Sequence, residues 1–500
     1  MLKAVLVSSV FFNIGLLAGR LSGFARESFL AASFGVGPES DVAVLMLSLP
    51  DLLVNILVGG GIAASLIPEF NRSPYHARTL LFQSLVVFSG VFIVFSFFTN
   101  WHMPWVLGVF APGFNDFQEA IAHIPMQLVM WLVPLTVATG VVASYLNAHN
   151  RFLASSMGTL VINAVIIAGL LFIYYLGGDL EILALFILLG GLVRFIMQFV
   201  AAARVAGLPK LTFVPWVVNR ALTIRFLQVA GAGSVLLSYP VVIRAYASYG
   251  QAGDVALVSF ATKLVELPLA ITVTFLSVIL FPRMSNAYEK NHEQFLTLCV
   301  WGIRMTLFLS LLAVASIYPI SNALADLVFG YGKMSTQSVI VIAELTAIGL
   351  FFIPFLGIST FIAASFNAKH DTITPLVINV IMLAVLFVVL ETLQQPSLDK
   401  LVGALVVAYM GVGCLSFLVF SFKQKGLLRQ VIDVFYLPLI LVACTTVYFV
   451  LTWLLPLISH EASAVWSILL AMVVAAFAAI VSGCFVPPVR AVLLTKLIKS

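Results

Sequence analysis

Arg20, Arg26 and Glu27 stand together in the stretch GRLSGFARES, within a run otherwise too apolar to carry charge. Asp41 and Asp51 follow, and further along Lys263 and Glu266 lie three positions apart, on one face of any helix that holds them. An ionised side chain deep in hydrocarbon costs about 3 kcal/mol or more, so each must face a partner or a wet cavity. Arginine offers a planar fork that grips phosphate through paired hydrogen bonds, and lysine a compact point charge. Arg20, Arg26 and Lys263 are therefore read as a cationic lining for an anion, phosphate above all. Glu27, Asp41, Asp51 and Glu266 are read as gating or charge-balancing groups. Gly19 and Gly23, with Gly59, Gly60 and Gly61, are hinge positions, because two arginines six residues apart converge on one ligand only if the helix bends. The competing assignment is that the charges close on one another, Lys263 with Glu266 and Arg26 with Glu27 or Asp41. Arg194 and Arg244 are assigned structural places, Arg244 by snorkelling near an outer helix end.

The elements that must position these groups follow from composition. The chain has 500 residues, 62% hydrophobic and 9% charged, with a mean hydropathy of +1.14, which excludes a string of soluble domains. At about 20 apolar residues per helical crossing, it is an all-α polytopic membrane protein. Runs such as 80–98 and 380–390 are apolar on nearly every side, without the alternation of a membrane β-barrel. Apolar runs broken by polar punctuation place fourteen spans near 3–33, 41–69, 79–99, 121–147, 154–177, 181–204, 220–249, 254–282, 295–318, 337–367, 374–391, 400–422, 432–457 and 463–488. Lysines and arginines concentrate in every second connection, among them Arg72, Arg151, Lys210, Arg283, Lys369 and Arg429, with only Lys333 and Lys400 in the others, which sets both termini in the cytoplasm. The net charge of +5 reflects this topology and no nucleic-acid partner, because the basic residues stand singly. The four cysteines show neither metal-ligand nor disulfide spacing, and no cofactor or metal is expected.

An internal repeat organises the spans. Asn147 of SYLNA is echoed by Asn367 of SFNA, Asn163 of LVINAVII by Asn379 of LVINVIML, Pro50 by Pro268, and Phe110 of VFAPGF by Phe329 of VFGYGK, at offsets of 220, 216, 218 and 219. Four echoes in order at nearly one spacing indicate duplication. The shift spans six crossings, so both halves keep one orientation and are related by a pseudo-two-fold axis along the membrane normal. The expected layout is an N-lobe over 1–206, a C-lobe over 207–425, and two additional helices over 426–500. Rocking of two facing lobes would open a central cleft to either side in turn.

The blocks RLSGFARESFLAASFGVGPESDVAVLMLSLPDLL, GGGIAASLIPEF, PWVLGVFAPGF, ELPLAITVTFLSVILFPRMS, FGYGK and FNAKHDTITP occur in the order and spacing of one family. The chain resembles, over essentially its whole length, the MurJ (MviN) family of bacterial lipid II flippases. The resemblance implies the fold of the multidrug/oligosaccharidyl-lipid/polysaccharide (MOP) exporters, with a groove for a polyprenyl tail on the last two helices. It also implies a cationic cavity for a diphosphate and its glycan, in which the family's arginines match Arg20 and Arg26, its acids match Glu27 and Asp41, and a helix 8 basic residue matches Lys263. The chain departs from the pattern at Val54 and Asn55, where relatives carry basic residues, at Gly59 and Thr262, where acids are expected, and in lacking an acid in span 7 for a sodium site.

The function expected on these grounds is alternating-access translocation of an undecaprenyl-diphosphate-linked peptidoglycan precursor to the outer leaflet of the bacterial cytoplasmic membrane, driven by a coupling cation or the membrane potential. Its partners would be that lipid, membrane lipid and cell-wall synthesis proteins. The alternatives are a diverged exporter of another polyprenyl-linked glycan and a transport-inactive scaffold for envelope assembly. An exporter of cationic drugs would prefer an acidic cavity. A membrane glycosyltransferase is disfavoured, since no connection exceeds about 25 residues and no paired-carboxylate motif appears.

Overall fold

The computed structural model describes residues 2–56, 62–72, 76–207, 209–213, 216, 218, 220–269, 275–369, 371–393, 396–424, 426–432, 436–458 and 464–484. Every regular element among them is a helix, and all fourteen expected segments are helical through most of their described length. Nine segments among the described residues are long and apolar enough to cross a membrane, including 77–101, 152–176 and 398–423. Val94, Phe97, Trp101, Phe449, Trp453 and Phe477 present bare apolar surface, which suits hydrocarbon and not water. By internal packing the chain forms two compact units, Met1–Ser259 with Gly332–Met334, and Phe260–Tyr331 with Ser335–Ser500.

The first unit holds α1 (Leu2–Phe34), α2 (Pro38–Ile56), α3 (Ala63–Arg72), α4 (Ala77–Trp101), α5 (Met103–Phe110), α6 (Asp116–Met130), α7 (Leu132–Ala148), α8 (Phe152–Leu176), α9 (Leu180–Ala206), α10 (Arg220–Ala247) and the beginning of α11 (Asp254–Leu269). Asn115 accepts from the Gln118 backbone N–H while the Gln118 side chain accepts from the Asn115 N–H, a reciprocal cap that starts α6. Asp179 caps α9 in one direction, its side chain accepting from the Ile182 N–H. α1 lies along α8, and α8 along α9. Glycines at every fourth position of α1 permit the first of these approaches. A Cβ on Gly15 would come within 2.3 Å of Ser156 Oγ, and one on Gly19 within 3.1 Å of Thr159 Cβ. α7 packs between α3, α4 and α9, with Phe70, Leu81, Val141, Tyr145 and Leu146 at its core. α10 packs on α2, α3 and α5.

The second unit continues with α12 (Phe275–Lys290), α13 (His292–Ile317), α14 (Ser321–Phe329), α15 (Thr336–Gly349), α16 (Ile353–Ala368), α17 (Ile373–Thr392), α18 (Leu398–Lys423), α19 (Leu427–Val431), α20 (Tyr436–Ile458) and α21 (Ala464–Cys484). α16 is its centre, against α12, α13 and α18, with Phe361, Ile362 and Phe366 buried among Phe295, Cys299 and Phe420. α20 and α21 pack on each other and on α13. Arg304 of α13 pins the start of α20: its guanidinium lies 4.7 Å from the Tyr436 ring centroid and 5.5 Å from that of Trp301, and it donates to the Gln430 carbonyl.

The two units repeat one packing order. α3, α4 and α9 surround α7 in the first, and α12, α13 and α18 surround α16 in the second. The caps of α6 and α15, Asn115 and Ser335, stand 220 residues apart, close to the sequence offset. α5 and α14 are matched short helices that end in the VFAPGF and VFGYGK segments. Pro104 stands in the first turn of α5, and Pro319 in the short 3-10 turn Tyr318–Ile320 that leads into α14, each a residue that suits the start of a new helix.

Candidate functional site

Arg26 is the best-built charged position. It lies on α1, is only 6% exposed, and projects between α2 and α8. Its Nη2 donates to Glu27 Oε1 at 2.8 Å and to Asp51 Oδ2 at 3.1 Å, and its Nη1 donates to Asn163 Oδ1 at 3.3 Å. Its Nε has no hydrogen-bond partner among the described residues. Asn163 is oriented in turn by the Ser22 hydroxyl at 3.0 Å and the Gly19 carbonyl at 3.3 Å, to which its Nδ2 donates. The two acids differ in exposure. Glu27 is 3% exposed and enclosed, whereas the Asp51 side chain is 51% exposed. A buried cation with one enclosed and one open counter-charge can exchange the open one for an anionic ligand, and exchange avoids leaving a bare charge in a medium of low dielectric.

Asp41 plays a different part. The sequence allowed it as a counter-ion for Arg26, but that place is taken by Glu27 and Asp51. Asp41, 1% exposed, accepts from the Gly253 N–H at 2.6 Å and Gln118 Nε2 at 3.1 Å on Oδ2, and from the Ala256 N–H at 2.9 Å on Oδ1. A carboxylate of α2 thus caps the first turn of α11, where unsatisfied N–H groups and the helix dipole favour negative charge. The backbones are close enough that a Cβ on Gly253 would fall 2.4 Å from Val36 Cγ1, and its φ of +103° belongs to glycine.

Within the second unit, Lys263 Nζ donates to Glu266 Oε2 at 2.8 Å, with both side chains partly open. Arg20 is exposed, and Arg244 is buried beside Ser48, Phe110 and Val241. Gly19 and Gly23 face α8, and α1 is helical without interruption across both, so in this conformation they serve close approach. Gly59, Gly60 and Gly61 lie outside the described residues. Among the described residues no group of three His, Cys, Asp or Glu side chains is arranged to hold a metal ion.

Two polar positions in the first unit were given no place in the site by the sequence. Asn163 appears there as a repeat marker, yet an amide in the middle of LVINAVII is itself a signal, since a buried polar group demands partners. Arg194, assigned a structural place, sits in the middle of α9, half-buried, where the charge of Asp51 acts on it.

Comparison with known proteins agrees with this architecture. The family described as Lipid II flippase MurJ matches residues 30–474. A protein of Rhizobium meliloti (strain 1021) named probable lipid II flippase MurJ is 28% identical over 390 residues, covering 74% of this chain and 71% of the relative. The lipid II flippase MurJ of Burkholderia cenocepacia is 26% identical over 397 residues, 74% of each chain. Among solved structures, lipid II flippase MurJ in an inward closed conformation superposes with a TM-score of 0.80 at 17% identity, covering 95% of this chain and 98% of that one. An inward-facing multidrug resistance MATE family transporter of the MOP superfamily gives 0.70 at 14% identity, covering 84% and 99%.

Proposed function

The chain belongs to the MurJ family of lipid II flippases, multi-pass proteins of the bacterial inner membrane, and from that premise we propose that it carries a polyprenyl-diphosphate-linked peptidoglycan precursor from the cytoplasmic to the outer leaflet by alternating access. The observation that carries the proposal is Arg26: an arginine buried in the first helix, oriented by an amide, and held by carboxylates of which one is open to exchange. A diphosphate brings more negative charge than the carboxylate it displaces and presents oxygens suited to the guanidinium fork. Arg20 and Lys263 are the further cationic contacts in this reading, with Glu266 the resting partner of Lys263. Glu27 and Asp51 balance Arg26 when the site is empty, and Asp41 holds the start of α11 until the helices move.

The sugars cross in water while the tail stays in lipid, along the helices of 426–500. The lobes that rock are 1–206 and 207–425; the repeated packing order around α7 and α16 supports two such halves, while in this conformation α10 packs on α2, α3 and α5 and the compact units divide at 259. The distribution of lysine and arginine supports cytoplasmic termini. With the outside positive, outward movement of each negative charge gains about 2.3 kcal/mol per 100 mV, whereas the empty cationic site resists the same turn, so resetting calls on a coupling cation or on the carboxylates that neutralise Arg26. Cell-wall synthesis proteins are the partners expected on either side of this step.

Complementation tests the assignment. The wild-type chain should restore growth and shape to a bacterium depleted of its own lipid II flippase. Arg26→Ala should abolish rescue while the protein remains in the membrane at wild-type level. Full rescue by that variant would overturn the role given to Arg26.

A further inference from the structure

Asp51 is shared. Its carboxylate accepts from Arg26 Nη2 at 3.1 Å, and its charge also acts on Arg194 of α9. α2 and α9 touch, so the two helices that bring Asp51 and Arg194 are already packed together. Arg194 stands in the middle of a 27-residue apolar helix, the costliest depth for a cation. Its Nε has no hydrogen-bond partner among the described residues. It is held close to α8, where a Cβ on Gly158 would lie 3.0 Å from that Nε and 2.3 Å from Nε2 of Gln198, a side chain with no exposure. Gly158 therefore makes the room in which the stem of Arg194 lies. Arg26 thus has two carboxylate partners, Glu27 and Asp51, of which Asp51 is the more open, and Arg194 stands on the neighbouring α9 within reach of the charge of Asp51.

We propose that Arg194 is the positioning residue that receives Asp51 when an anionic lipid diphosphate occupies Arg26. In the empty state Asp51 neutralises Arg26. In the loaded state it swings towards Arg194, and the Nη2 position it leaves is taken by a phosphate oxygen. Without Arg194 the displaced carboxylate would remain beside the incoming phosphate as a like charge in a medium of low dielectric, which weakens binding. The device also supplies a positive group beyond Arg20 and Arg26 in the first unit, where Val54 and Asn55 follow the LPDLL segment. The inference rests on the diphosphate reading of Arg26 and adds to it the fate of the counter-charge.

The test is a binding cycle on the full-length protein in detergent, with undecaprenyl diphosphate as the probe and native mass spectrometry as the readout. Arg194→Gln should weaken binding by about tenfold or more, the size expected for a coupled charge pair. Asp51→Asn should tighten binding, because Arg26 loses a competitor. The double variant should match Asp51→Asn, since Arg194 has no task once the carboxylate is gone. If Arg194→Gln binds as tightly as wild type, or if Asp51→Asn fails to rescue it, the exchange is wrong. Should Arg194→Gln fail to fold, Asp51→Asn alone decides: weaker binding overturns the proposal. A wild-type protein that binds no diphosphate would instead refute the underlying function.

Discussion

Replacing Asp41 tests whether one buried carboxylate fastens the start of α11. Its oxygens take three donors, the Gly253 and Ala256 N–H groups and Gln118 Nε2. Hydrogen bonds to a charged acceptor contribute about 1.5–3 kcal/mol each, and a buried donor left unmade costs a similar amount. Asp41→Ala forfeits all three, so the local loss is about 5 kcal/mol or more. Asp41→Asn keeps one oxygen. Placed where Oδ2 was, it still serves Gly253 and Gln118, while the amide NH2 meets the Ala256 N–H donor to donor. Loss of that bond, with loss of charge at the helix start, amounts to about 2–3 kcal/mol. Hydrogen exchange of the segment 250–258 reads this directly, because these amides exchange through local opening. In Asp41→Asn their exchange should quicken by roughly 30-fold to 150-fold, and further in Asp41→Ala, while the segment 137–146 of the α7 core keeps its protection. Unchanged exchange at 250–258 in Asp41→Ala would refute the cap, as would an Asn variant that opens more readily than Ala.

Two other expectations separate structure from mechanism. Gly19→Ile should lower the yield of folded protein by overpacking α1 on α8, at a cost of about 1–3 kcal/mol, whereas a helix whose glycine served only as a hinge would fold normally and lose transport alone. On the face between spans, burial alone would raise the Asp371 carboxyl, but hydrogen bonds from Lys423 Nζ, the Thr374 N–H and the Thr374 hydroxyl hold it near about 2, below the ordinary value of 3.8. A depressed carboxyl stabilises the fold above its unfolded value and ceases to do so as pH falls through its folded value. Unfolding of wild type and Asp371→Asn should thus differ at pH 6 and converge between about pH 4 and 2; a gap that persists at pH 2 would exclude this linkage.

Much of the fold was legible because membrane burial leaves a coarse imprint. Apolar runs of span length marked the helices, and the echo of Asn147 in Asn367 pointed to the packing order that α7 and α16 repeat, although the compact units divide at 259 and not at 206. The outer helices α5 and α14 were not legible as helices, since at 8 and 9 residues each is too short to show a helical period or to span the membrane. Within the site, type and depth identified Arg26, and spacing identified the Lys263–Glu266 pair. Pairing across helices was hidden. Nothing in the order of residues tells that Asp51, ten positions after Asp41, reaches Arg26 while Asp41 turns to α11. That choice is made by the rotation of α2 and by where α11 begins, both products of packing. Asn163 and Arg194 escaped for the same reason, since each acquires a role only when α8 and α9 lie beside α1 and α2.

The most direct test of a diphosphate held at Arg26 is the lipid that leaves the membrane with the protein. Native mass spectrometry of the wild type, purified from bacterial membranes in mild detergent, should show a bound polyprenyl-diphosphate species above the phospholipid background. The same preparation of Arg26→Gln, folded and equally rich in phospholipid, should lack it. An equal amount of diphosphate lipid on both proteins, or none on the wild type, would contradict the account.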